Sequence, residues 1–126
     1  MNLQGKGIMH DKQIISHLDE KAFSLEDPPT EKPLVVEFNA TWSGSCHIME
    51  PVLESLIRKY SQEITFHKVN IEDFLEITKH YGVREVPTFL IFNKGILFDF
   101  AVGAISRKDL SSKLQKVLEA KIKRNF

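Results

Sequence analysis

Leu34-Val35-Val36-Glu37-Phe38-Asn39-Ala40-Thr41-Trp42-Ser43-Gly44-Ser45-Cys46 is the stretch on which the fold of this chain turns. Its first five residues are an apolar run broken by one acid, the pattern of a central strand covered on both sides. Beyond it, Ile48, Met49, Val52, Leu53, Leu56, Ile57 and Tyr60 recur at three-and-four spacing. That spacing predicts an amphipathic helix from Ser45 to about Ser61, kinked where Pro51 removes an N–H. A strand therefore enters a helix through Trp42 to Ser45, with Cys46 in the first turn. Cys46 is the only cysteine, so the chain cannot close an internal disulfide.

Downstream, Ile64 to Val69 reads as the next strand. Asp73 followed by Glu76 marks a helix start that runs to Tyr81 and stops at Gly82. The strand-helix-strand rhythm implies a parallel pair. Thr88 to Phe92 and Ile96 to Phe100 flank Asn93-Lys94-Gly95 as an antiparallel hairpin. Ser106 with Asp109 caps a last helix that carries Leu110, Leu114, Val117, Leu118 and Ile122 on one face, and Phe98 and Phe100 are expected to pack beneath it. Upstream, Met1 to about Lys12 reads as a frayed leader and Glu26 to Pro33 as a surface loop. Ile14, Ile15, Leu18 and Ala22 fit a helix, or equally a short strand followed by one. With a strand there, the order becomes β-α-β-α-β-β-α, an α/β chain whose mixed sheet has helices available for both faces.

Of 126 residues, 42% are hydrophobic and 27% charged, which suits one globular domain. Seventeen basic residues balance seventeen acidic ones, so the charge total favours neither nucleic acid nor an anionic membrane. Lys121, Lys123 and Arg124 fit the negative end of a helix dipole. No apolar run approaches the roughly 20 residues of a membrane span, and Met1 to His10 lacks the apolar stretch of a signal peptide. One unpaired cysteine suits a reducing compartment, so the expected location is the cytoplasm. Cys46-His47, taken with His10, His17, His67 and His80, matches no zinc spacing; no metal or other cofactor is expected.

From about Ile14 to Leu118 the chain resembles the thioredoxin family. Trp42-Ser43-Gly44-Ser45-Cys46 is similar to the family's Trp-Cys-Gly-Pro-Cys motif, with serine in place of the attacking cysteine and of the proline. The likeness extends to Phe38, Ala40, Pro51, Lys68 and Asn70, to Tyr81-Gly82-Val83 and Val86-Pro87-Thr88, and to Gly95 and Gly103. It implies a thioredoxin fold: a central mixed sheet flanked by helices on both faces, with Gln13 to Leu18 as the first strand. A cis bond between Val86 and Pro87 is implied beside the motif. The domain then covers residues 13–126, after a leader of residues 1–12.

The resemblance also implies roles. Ser43 marks the place of the missing nucleophile and is expected to act as a helix N-cap, a contribution of about 0.5–2 kcal/mol. Cys46 matches the resolving thiol, expected to be buried and slow. Glu37 replaces a buried aspartate, with Lys68 as its expected partner on the next strand. Trp42, Gly44, Ser45, Val86, Pro87, Gly103 and Ala104 are expected to form a groove that pairs with an extended peptide. The expected function is thiol/disulfide redox homeostasis without dithiol turnover, limited to mixed-disulfide chemistry through Cys46. One alternative is a non-catalytic peptide-binding module; another is a Ser43 variant of an active disulfide reductase. The expected partner is an extended peptide or a protein thiol/disulfide client of a monomer, with no nucleic acid and no membrane.

Overall fold

The computed structural model describes residues 32–124, with side chains through residue 120. The leader, the first segment Gln13 to Leu18 and the side chain of Ile122 lie outside this range. The elements are β1 (Leu34–Asn39), α1 (Gly44–Tyr60), β2 (Thr65–Asn70), α2 (Leu75–His80), β3 (Thr88–Asn93), β4 (Ile96–Val102) and α3 (Arg107–Arg124). The order β-α-β-α-β-β-α is thus complete from Leu34 onward and does not need the first segment. The sheet runs β2-β1-β3-β4. β1 pairs parallel with β2 and antiparallel with β3, and β3 pairs antiparallel with β4.

Each face of this sheet buries its own core. Val35, Phe89 and Ile91 face Met49, Leu53 and Leu56 of α1 and Leu110, Leu114 and Val117 of α3. Leu34, Val36, Phe38, Leu90 and Phe92 face Phe74 and Ile77 around α2. β1 feeds both cores, which is why its sequence is continuous rather than alternating. α1 runs unbroken through Pro51, and Arg58 and Lys59 lie in its last turn, where cations oppose the dipole. The Ser106 Oγ accepts the Asp109 N–H at 3.0 Å, capping α3 as its sequence predicts.

Two expectations need correcting. Asp73 does not cap α2: the cap position is Phe74, which makes no side-chain cap bond. Phe74 is fully buried, and its burial sets where the helix begins. Asn70 orders the entry instead, accepting the Glu72 N–H at 2.8 Å through Oδ1 and the Asp73 and Phe74 N–H groups through its carbonyl. At the other end, Gly82 (φ 66°) donates to the Lys79 carbonyl and Val83 to that of Thr78, a Schellman stop.

The second correction is at the hairpin edge. Lys94 and Gly95 alone form the turn, both at positive φ (53° and 83°), as a two-residue primed turn requires, and Asn93 ends β3. A bulge shifts the register between Ile91 and Phe92. Phe100 stands opposite Leu90, which belongs to the α2-side core, so α3 on the other face does not cover it. Phe98 and Phe100 are 39% and 55% exposed rather than packed beneath α3.

Candidate functional site

Ser43 ends the loop after β1 in extended backbone (φ −91°, ψ 119°), the geometry of an N-cap. Its Oγ accepts the Cys46 N–H at 3.2 Å, and its own N–H donates to the Ala40 carbonyl at 3.2 Å. The hydroxyl is buried and committed as an acceptor at the helix terminus. Among the described residues no base side chain is hydrogen-bonded to it. Cys46 lies one turn into α1, buried at 8% exposure. The field of a helix N-terminus favours a thiolate but does little for a serine hydroxyl.

Glu37 is buried on β1, on the face that α1 covers, since it alternates with Val35. Lys68 of β2 stands directly opposite it in the parallel register, where the sequence expected its partner. The Asn39 Nδ2 donates to the Glu37 Oε1 at 3.4 Å.

Glu37 and Cys46 meet at a crevice of about 400 Å³. The end of β1 contributes Asn39, Ala40 and Thr41 beside Glu37, and α1 contributes His47 and Glu50 beside Cys46. Lys68, Asn70 and Asp73, from β2 and the turn after it, close the other side. The His47 Nε2 lies 2.8 Å from the Thr41 carbonyl. A carbonyl only accepts, so Nε2 carries the hydrogen of this bond. Of these residues, Glu37, Cys46 and Lys68 were singled out in the sequence. Asn39, Thr41, His47, Glu50, Asn70 and Asp73 were missed as site residues, although their common position at the C-terminal ends of parallel strands was a usable signal.

The expected groove residues lie elsewhere and do not line this crevice. The Val86–Pro87 bond is cis, and the Pro87 carbonyl accepts the Gly103 N–H at 2.7 Å. Gly103 has φ 83°, a conformation that side chains disfavour. Two residues on, the Ile105 N–H reaches the Met49 Sδ of α1 at 3.5 Å. These bonds hold Gly103 and Ala104 between Pro87 and the motif helix. Val86 is half-buried and Ala104 exposed, while Trp42, Gly44 and Ser45 form the outer side of the motif. Trp42 is 65% exposed, a large apolar surface with no cover among the described residues.

Known proteins resemble this chain in sequence and in fold. The family model for Thioredoxin matches residues 14–116. The thioredoxin of the alga Porphyra purpurea is 32% identical over 104 residues, which cover 82% of this chain and 97% of its own length. Among solved structures, the germline-specific thioredoxin Deadhead of Drosophila melanogaster is 35% identical with a TM-score of 0.65, covering 68% of this chain and 81% of that one. A thioredoxin of Nicotiana alata is 34% identical with the same TM-score, covering 70% and 75%.

Proposed function

The chain belongs to the thioredoxin family, and from that premise we propose that it is a redox-family protein without dithiol turnover, acting on protein thiol/disulfide clients through Cys46 alone. The observation that carries this is the Ser43 hydroxyl, fixed as the cap of the Cys46 N–H where the motif otherwise holds its attacking sulfur. Cys46 exchanges with a client disulfide: its sulfur bonds to one client sulfur, and the other leaves with the proton as a thiol. No second thiol exists in the chain to resolve the product, so release requires an external thiol. The cis-proline segment, Gly103 and Ala104 offer backbone and an apolar floor to an extended client, with Trp42 at the rim.

The exposed Trp42 also favours a second reading, a module that holds an extended peptide without any sulfur chemistry. Under either reading the protein works as a monomer. A cytoplasmic location belongs to the proposal and rests on the single unpaired cysteine; fractionation of source cells tests it. Among the described residues no helix is long and apolar enough to cross a membrane.

Insulin reduction separates these readings. The protein should be inactive and Ser43→Cys active, because the substitution restores the sulfur that a dithiol cycle requires. Turnover by the unsubstituted protein would refute the proposal. Peptide capture that persists in Cys46→Ala, with Ser43→Cys still inactive, would favour the binding module.

A further inference from the structure

The crevice at Cys46 lies where the topology changes face. β1 and β2 are parallel neighbours, yet β1 leads into α1 on one face of the sheet and β2 into α2 on the other. Two strands whose connections diverge leave a gap between their C-terminal ends, and open α/β sheets bind ligands in that gap. Here its volume, about 400 Å³, lies within the range of small-molecule sites. An extended peptide in the groove by Pro87 approaches the motif from other residues, so the crevice is a second route to the same thiol.

The lining selects what enters. Three carboxylates, Glu37, Glu50 and Asp73, face it against the single ammonium of Lys68. The lining therefore carries more acidic than basic side chains, with Glu50 and Asp73 in addition to the Glu37–Lys68 register pair. A surplus of carboxylates attracts a cation, and an ammonium is a cation that a small disulfide can carry. With the thiol of Cys46 in the wall, the site joins a cation-attracting mouth to a sulfur.

We infer that the crevice admits low-molecular-mass disulfides bearing an ammonium group, and that Cys46 exchanges with them there. The step is balanced: the Cys46 sulfur bonds to one sulfur of the small disulfide, its S–S bond breaks, and the second half leaves as a free thiol carrying the proton. The disulfide is the oxidant, and Cys46 ends as a mixed disulfide with an aminothiol. This rests on the single-thiol reading and adds a substrate class to it.

The test measures the rate of Cys46 modification by intact mass with cystamine, 2-hydroxyethyl disulfide and 3,3′-dithiodipropionate. Each rate is divided by that of the urea-unfolded protein, which removes the reagents' intrinsic differences. The folded protein should then prefer cystamine over the dianionic reagent by about tenfold, the scale of one or two partly screened charges at close range. The preference should shrink with added salt and vanish in Glu50→Gln/Asp73→Asn. Equal normalised rates for all three reagents would overturn the inference while leaving the single-thiol reading standing. A folded Cys46 that resists every disulfide, small or protein-borne, would overturn both.

Discussion

At the scale of single residues, one hydroxyl caps the motif helix and one buried ring sets a pH limit. Ser43 keeps the shape of the motif because a hydroxyl caps a helix as well as the position needs. His67 is buried on β2, opposite Val36, and its Nδ1 has no hydrogen-bond partner among the described residues. Burial disfavours the imidazolium and lowers the pKa from 6.5 to about 4. Between those values the unfolded chain binds more protons than the folded one, so stability is complete above pH 6.5 and declines as pH falls towards 4. From pH 7 to 4.5 the loss from this residue should be on the order of 2 kcal/mol. Urea midpoints at the two pH values should therefore move apart less in His67→Leu than in the parent. Equal separations would show that His67 is not the group responsible. The ring's unmatched nitrogen was not legible in the sequence, which gives no sign of whether a histidine between Phe66 and Lys68 points into a core.

At the scale of elements, the edge strand shows what local pattern does and does not determine. The hairpin was readable from two apolar runs around Lys94-Gly95, because a tight primed turn leaves few other pairings. The bulge was not readable, and it governs which face Leu97 and Phe98 meet. β4 exposes Ile96, Leu97, Phe98, Phe100 and Val102 at the sheet's edge, a surface that invites another strand. Asp99 counters it. Its carboxylate takes the Phe100 N–H at 2.7 Å, and because the Gly103 N–H points inward to Pro87, alternation directs the Phe100 N–H outward. Lys113 of α3 holds the same carboxylate at 3.1 Å. The ion pair itself is half-exposed and contributes under about 1 kcal/mol, so its value here lies in keeping the edge capped. Asp99→Ala should therefore self-associate with rising concentration in sedimentation velocity more than the parent does. Identical sedimentation of the two would dismiss the capping role.

At the scale of the whole molecule, the parallel β1–β2 pair and the β3–β4 hairpin were legible in the sequence, whereas the antiparallel β1–β3 pairing that joins them into one sheet depends on contacts distant in the chain. The crevice was legible only in part: Glu37 comes from β1 and Lys68 and Asp73 from β2 and the turn after it, and only the register unites them. That register rests on two cores with the sheet between them. Leu56 lies in the α1-side core and Ile77 in the α2-side core, both nearly inaccessible. Truncating either to alanine should cost about 2–5 kcal/mol through lost burial and the cavity left behind. The two sites touch no common side chain across the sheet, so their costs should add within about 0.5 kcal/mol. β1 and β3 nevertheless serve both cores, so weakening one face cannot release it alone. Each single variant should unfold in one transition, with far-UV circular dichroism and the near-UV aromatic signal coincident. Separated transitions, or a coupling well beyond 1 kcal/mol, would mean that the faces do not behave as two layers on one shared sheet, and the strand register that gathers the crevice would lose its physical basis.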